Sequence, residues 1–315
     1  TVAEGTLTKL TLDMENVEEF EYLDQLDIEV TSEATTQSHG TVISIATNNI
    51  SASEVKDIWT EKQFKKLLVE LRSLTAPKEV FKAAAEQGFE ISHDKFDIKL
   101  KFGDFPLGEY SQKTIEVEPF PLLSLYDYRI SGYVSPDGRA QLIYENQNIH
   151  SLKPEIIDIT VPLNRLEGET YPGEIYLDLR VYDRDPESIS RIIKRGLKDP
   201  DTGEYVGKLE ARKILDEYYG IGIYREQFKI RPYGDQSFDW LDLDKKRVQN
   251  PTGRVGHNQI IGFVNVRHEE RSRLEEKSAR DGLVENSAYF GLVRLVEGAL
   301  RQLEARRSSY RRKSQ

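Results

Sequence analysis

The chain has no cysteine, a single methionine (Met14) and five histidines (His39, His93, His150, His257 and His268) in 315 residues. Without thiols it has neither disulfides nor thiolate metal sites, which fits a reducing compartment and a cytoplasmic location. The histidines are scattered, with no HExxH and no close pair, so no histidine-built metal site is expected. No run approaches the roughly eighteen consecutive apolar residues that a membrane helix needs, and no basic, apolar, small-residue leader opens the chain. Nothing here is expected to span a membrane or direct secretion. A free-standing hydrolase is also disfavoured, because there is no Ser/His/Asp elbow, no cysteine nucleophile and no interpretable pair of carboxylates. With its only methionine at position 14 and Thr1 at its head, the chain is expected to be a fragment or a processed product.

What is present describes an ordinary soluble protein: 38% hydrophobic and 31% charged residues, and enough length for two domains with a buried core. The formal charge of −10 argues against broad, sequence-independent binding to nucleic acid. The C-terminal tail runs the other way, with Arg301, Arg306, Arg307, Arg311, Arg312 and Lys313 facing only Glu304. It reads either as a solvated, frayed helix end favoured by the helix dipole, or as a contact for nucleic acid or an acidic protein partner.

Taken in order, Thr6 to Leu12 alternates as a strand and Asp13 to Asp27 is an acidic face or loop. Val42, Ile43 and Ile45 form a β-branched strand entered through Gly40. Phe64, Leu67, Leu68, Leu71 and Leu74 lie on one helical stripe, with Thr60 as N-cap. Pro77 closes that helix, and Lys78 to Gln87 forms a second one ended by Gly88. Phe96 to Phe102 alternates as a half-buried strand. Strand character continues over Thr114 to Val117, Leu122 to Val134 and Ala140 to Tyr144, the last two joined by a turn at Ser135-Pro136-Asp137-Gly138. Leu152 to Glu169 is irregular. Gly173 to Asp183 places Ile175, Leu177, Leu179 and Val181 on one side and Tyr176, Asp178, Arg180 and Tyr182 on the other. Helices follow over Pro186 to Lys194 and Leu209 to Tyr219, an order of strand, helix, helix, strand that suits a βαβ crossover.

The stretch from Gly220 to Gly262 organises the rest. Ile221/Ile223 and Phe228/Ile230 are the arms of a hairpin or a strand and bend. A polar loop punctuated by Gly234, Asn250, Pro251, Gly253 and Gly256 follows, before the apolar strand Ile260 to Val266. The run Ile223-Tyr224-Arg225, Phe228, Arg231-Pro232-Tyr233-Gly234, Asp239-Trp240-Leu241 and Asn258-Gln259-Ile260-Ile261-Gly262 resembles a segment of bacterial and MORC-like ATPases of the gyrase, heat-shock chaperone, histidine kinase and MutL (GHKL) superfamily. The resemblance is dense over about forty residues and looser from His39 to Asn286. That segment is the transducer, which follows the ATP-binding domain.

The resemblance implies an α+β fold: the end of a Bergerat-type ATPase domain, then a β-rich transducer with a left-handed βαβ crossover shared with a ribosomal protein, then a C-terminal helix. The implied layout is residues 1–75 for the end of the ATPase domain and a connector helix, 76–270 for the transducer, and 271–315 for a phosphate-sensing segment, C-terminal helix and basic tail. His39-Gly40-Thr41-Val42-Ile43 is similar to the element by which such ATPase domains enter a late strand. The rest of an ATP pocket is missing, since no Asn-bearing helix is matched with DxGxG and no glycine-rich lid is found. ATP and Mg²⁺ would therefore be bound mainly outside this chain, in a longer protein, and the chain alone would be inactive.

Ser278-Ala279-Arg280-Asp281, at the head of the last helix, is similar to the heat-shock chaperone segment whose arginine reaches the γ-phosphate of ATP, with Ala279 departing from a polar residue. By that match Arg280 is the phosphate sensor; the alternative is an ordinary pair with Glu276 or Asp281. Asn258 and Gln259 either offer amides to a nucleotide or cap strand ends. Arg254, Lys245, Lys246 and Arg247 either touch phosphate or nucleic acid, or belong to a solvated loop. Trp240 with Phe238 either anchors the loop on the core, the preferred reading, or binds a base, and the stretch Tyr224 to Tyr233 is architecture. The resemblance further implies a homodimer, a protein partner and a DNA-related or phage-defence role. Against it stands a noncatalytic protein- or RNA-interaction module without ATP chemistry.

Overall fold

The computed structural model describes residues 1–12, 28–46, 59–90, 96–117, 122–149, 152–164, 166, 168–200 and 203–314, so the acidic segment 13–27 and His93 and His150 lie outside the described residues. The chain forms two compact units, Thr1–Asp57 and Ile58–Gln315.

In the first unit, β1 (Val2–Ala3), β2 (Thr6–Thr11) and β3 (Glu29–Ala34) make an antiparallel sheet in that order. Glu4 and Gly5 turn β1 into β2 with φ of 48° and 74°, the paired left-handed conformation that matches strand twist in a two-residue hairpin. The strand expected at Val42, Ile43 and Ile45 does not form: these residues are 85, 84 and 83% exposed, and only Gly40 pairs, with Val2. β-branched side chains favour a strand only where a sheet edge offers partners, and the pairing stops at Gly40.

The second unit begins with α1 (Glu61–Ser73) and α2 (Lys78–Glu86). Thr60 caps α1 reciprocally with Gln63, as its spacing predicts, and Phe64 and Leu68 are buried. β4 (Lys99–Lys101) and β5 (Thr114–Glu116) form a separate ribbon in which only Leu100 and Ile115 are partly covered, so the half-buried strand expected over Phe96 to Phe102 shrinks to three residues.

The main sheet contains β6 (Tyr128–Val134), β7 (Arg139–Asn146), β8 (Glu155–Thr160), β9 (Ile175–Val181), β10 (Gly220–Arg225), β11 (Phe228–Ile230) and β12 (Ile260–Val266). Their order is β11-β10-β12-β9-β6-β7-β8, and all neighbours are antiparallel except β10 and β12. One face packs on Leu243 of α5 (Leu243–Gln249) and on the long helix α7 (Ser287–Ser314), which follows the one-turn α6 (Glu269–Ser272). The other packs on α2, α3 (Pro186–Lys194) and α4 (Lys208–Glu217). The chain is thus α+β, with a seven-stranded sheet between helices. Among the described residues no helix is long and apolar enough to cross a membrane.

Three expectations are corrected here. The segment from Leu152 to Glu169, expected to be irregular, contains edge strand β8 between Pro154 and Pro162; proline is tolerated beside an edge because it removes no interior ladder bond. The polar loop before β12 contains the short helix α5. Most consequentially, β9, α3, α4 and β10 do not form a βαβ crossover, since β12 lies between the two strands, parallel to β10 and antiparallel to β9. The parallel pair is β10 and β12, and the chain joining them runs through β11 and α5. Periodicity identifies the strands but carries no information about which become neighbours.

The second sheet face is unusually polar for a covered surface. All seven residues of β9 are buried, so Asp178 and Arg180 lie beneath helices and not in solvent. At its far end, Asp127 is fully buried; its carboxylate accepts the Asp183 N–H at 2.8 Å and an Arg195 Nη1 hydrogen bond at 3.1 Å. Burial, with the nearby Asp183 charge adding to it, pushes the Asp127 carboxyl up from 3.8 to about 6 against the pull of Arg195 and Arg191. A raised folded-state value favours the protonated form in the native protein. Its contribution is therefore complete below about pH 4 and lost as pH rises to about 6. Thermal melts from pH 4 to 7 are expected to show this loss in the native sequence and a flatter profile in Asp127→Asn; superimposable slopes would refute the assignment.

Candidate phosphate-contacting site

Strand β10 ends at Arg225 and returns as β11 through Glu226, whose φ of 56° completes a tight turn. This hairpin forms one wall of a cavity of about 600 Å³, with Arg231, His268, Glu276 and Arg280 around it. The cations have distinct partners. Arg225 donates to the Glu276 carboxylate and the Leu274 carbonyl. Lys229 Nζ lies 2.5 Å from Asp235 Oδ1, and Arg231 Nη2 lies 3.1 Å from Glu70 Oε2. His268 Nε2 lies 3.4 Å from Glu226 Oε1.

Arg280 differs. It is exposed, and among the described residues it makes no hydrogen bond or ion pair through its side chain. Neither alternative pair, with Glu276 or with Asp281, forms, because Arg225 occupies Glu276. Nor is Arg280 at the head of a helix as expected, for α7 begins only at Ser287. It sits on a hairpin-like turn closed by the bridge between Glu276 and Leu283, by Lys277 N–H to the Gly282 carbonyl at 2.9 Å, and by Arg280 N–H to the Lys277 carbonyl at 2.8 Å. Its φ of 54° is left-handed, a conformation that costs a side-chain-bearing residue about 1–2 kcal/mol. Turn bonds hold it there.

The organising stretch braces this turn. The Leu283 N–H donates to the Tyr233 hydroxyl at 3.2 Å, and Tyr233 is buried against Phe238, Trp240 and Tyr289. Trp240 in turn donates its indole N–H to the Ile221 carbonyl at 2.8 Å. The aromatic residues read from sequence as architecture and anchor thus hold the Arg280 turn on the sheet. Chemically, the arrangement offers one permanently charged, planar guanidinium on a fixed support, suited to a phosphoryl group approaching from outside the turn.

The other candidate residues are not brought to this turn. Arg254 donates to Glu304 Oε2 at 2.7 Å, while Glu304 Oε1 accepts the Val255 N–H at 2.9 Å, so the loop is clamped onto α7. Gln259 is buried, and its side-chain oxygen accepts the Gly256 N–H at 3.1 Å, the capping role. Asn258 contributes its main-chain carbonyl, which accepts from Arg184. The basic tail is neither frayed nor solvated throughout. Arg306 pairs with Glu155 at 2.6 Å, Arg307 is buried and pairs with Asp183 at 2.6 Å, and Arg311 pairs with Asp183 at 2.9 Å; Arg312 and Lys313 are exposed. Gln259 shares a second cavity with Arg247, Arg307, Arg311 and Arg312. Sequence reading missed Arg184 and Asp185 of that cavity, because the Asp-Arg-Asp-Pro run at 183–186 reads first as a helix start. No protein-family model, no curated protein and no solved structure was found to match the chain.

Proposed function

We propose that the chain is the transducer portion of a GHKL-type ATPase, in which Arg280 contacts the terminal phosphate of ATP bound in an adjoining nucleotide domain. The observation that supports this reading is the exposed Arg280 guanidinium, without an ion pair among the described residues, on a turn braced by Tyr233. ATP with Mg²⁺ supplies the phosphoryl group to be transferred. Among the described residues no three histidines, aspartates or glutamates gather as metal ligands, so under this proposal Mg²⁺ is held elsewhere. Arg280 places charge where it develops on the phosphoryl oxygens. A pull on the turn acts on Tyr233 and, through its contact with Tyr289, on α7, which under this reading hands the change to a second copy or a protein partner in the cytoplasm. The end of the Bergerat domain and a role in DNA transactions or phage defence belong to the same proposal.

In a protein that carries both this chain and the nucleotide domain, Arg280→Ala is expected to lower ATP turnover at least about tenfold while nucleotide affinity holds, because the contact strengthens in the transition state. Steady-state hydrolysis and nucleotide titration check this. Unchanged turnover would favour the second reading, a noncatalytic module for protein or RNA. One observation supports that reading: edge strand β8 leaves Ile156 65% exposed, the kind of edge to which an extended peptide can add.

A further inference from the structure

A second cavity, of about 740 Å³, lies where the end of β9 meets the last turns of α7 and the loop after α5. Five arginines line it, Arg184, Arg247, Arg307, Arg311 and Arg312, against one carboxylate on its wall, Asp185. The α7 contribution follows from helix geometry, since residues four apart share a face and Arg307 and Arg311 are so spaced. The loop residues 250–253 close the side, with the Gly253 N–H donating to Asn250 Oδ1 at 3.0 Å.

Internal pairing does not consume this charge. Arg307 donates through Nε and Nη2 to Asp183 Oδ1 at 3.0 and 2.6 Å, and Arg311 donates to Asp183 Oδ2 at 2.9 Å, so one carboxylate serves two guanidinium groups. The Arg307 side chain is only 4% exposed, yet its Nη1 has no hydrogen-bond partner. Arg184 pairs with Asp216 at 3.0 Å. The side chains of Arg247 and Arg312 make no hydrogen bond or ion pair among the described residues, although both line the cavity. With Asp183, Asp185 and Asp216 set against five arginines, a net positive concavity stands in a chain whose formal charge is −10. Burying an arginine short of a partner costs stability unless something repays it, and a concave site of one sign concentrates counter-ions.

From these observations we infer that the cavity is a binding site for a small phosphorylated polyanion, one carrying two or more linked phosphoryl groups. Guanidinium forks from α5, α7 and the end of β9 match oxygens spread over several phosphoryl centres better than a single carboxylate. The volume lies within the roughly 300–1,000 Å³ of small-molecule sites. None of the residues that line the cavity is aromatic, so no platform exists for stacking the bases of a single strand. This site is separate from the Arg280 turn and does not depend on the ATPase proposal.

The test is calorimetric titration of the intact chain with inorganic tripolyphosphate at low ionic strength. The expected result is saturable binding that weakens about tenfold or more in Arg247→Ala/Arg312→Ala and is unchanged in Arg280→Ala. Among the described residues neither the Arg247 nor the Arg312 side chain is paired, so the double variant should keep its melting temperature. Should it fail to fold, the single exposed Arg312→Glu variant replaces it. No binding in the millimolar range, or equal affinity in native and variant proteins, would overturn the inference. So would a single-stranded oligonucleotide that binds far more tightly than tripolyphosphate through the same arginines, since it would make the ligand a nucleic-acid backbone.

Discussion

Replacing Asp178 with alanine is expected to destabilise the second unit by about 3–5 kcal/mol, the usual loss when one member of a buried ion cluster is removed. Asp178 is fully buried and binds two arginines at once. Its Oδ1 accepts Arg129 Nε at 3.1 Å and Arg180 Nε at 2.8 Å, and its Oδ2 accepts the Nη2 of each at 2.8 Å. Arg129 also reaches Glu145 at 2.7 Å and Arg180 the Leu123 carbonyl at 2.6 Å, so the four side chains are charge-balanced and nearly every polar bond is made. Burial by itself would raise the Asp178 carboxyl, but Arg180 and Arg129 override it and hold the group well below the usual carboxylate range. A depressed carboxylate contributes stability that is present above its ordinary value near pH 4 and lost as pH falls through the folded-state value, the opposite sense to Asp127. Urea denaturation at neutral pH checks the magnitude. The triple variant Arg129→Met/Asp178→Leu/Arg180→Met is expected to recover most of the loss, because the penalty comes from the buried Arg180 left without a counter-charge and from Arg129 left with Glu145 alone. A loss below about 1 kcal/mol in Asp178→Ala, the range of an exposed pair, would show that water reaches the cluster.

The second large effect is expected at Gly291, in the first turns of α7. Glycine to alanine inside a helix ordinarily gains about 1 kcal/mol. Here the sign reverses, because a β-carbon at Gly291 would lie 1.9 Å from the Thr170 carbonyl oxygen and 2.9 Å from its carbon. The obstacle is backbone and cannot swing aside. The Thr170 N–H donates to the Ser287 carbonyl at 3.0 Å, and the neighbouring Tyr171 hydroxyl donates to the Val161 carbonyl at 2.8 Å, so the strap is tied on both sides. Gly291→Ala should cost about 3 kcal/mol, the upper range for overpacking, read as a lower urea midpoint with an unchanged slope. Gly298→Ala on the same helix is the control. The three atoms nearest its β-carbon would be side-chain atoms of Val161, the closest at 2.8 Å, and a side chain gives way more readily than a carbonyl of the main chain, so its loss should be smaller. Equal stabilities for the two variants would mean that the strap, and not the helix, gives way.

Much of the local structure is legible in the residues themselves. The Thr60/Gln63 capping box, the proline-opened α3, the turn at Ser135-Pro136-Asp137-Gly138 and the β10–β11 hairpin all lie where short-range chemistry puts them. These features depend on partners a few residues away, so a window of sequence contains all the interacting groups. The failures share the opposite property. Val42, Ile43 and Ile45 have strand character but pair with no described strand, and Glu155–Thr160 becomes a strand because it pairs with β7. Arg280 is placed on a turn, not a helix, by the Glu276–Leu283 bridge and by the Tyr233 hydroxyl, which accepts the Leu283 N–H from fifty residues earlier in the chain.

Alternation and capping by themselves determined a chain of mixed strands and helices, the positions of most of them, and an aromatic stretch that anchors the loop on the core. A period of two assigns side chains to opposite faces of β9, but it cannot say that both faces are covered. Only the tertiary structure decided that Asp178 and Arg180 are buried together, that β12 separates β9 from β10, and that a tail read as a solvated end is drawn inward. The reason is distance along the chain. Arg307 meets Asp183 across 124 residues, and such a pairing is chosen by the packing of a whole helix against a whole sheet, a choice that no local pattern encodes.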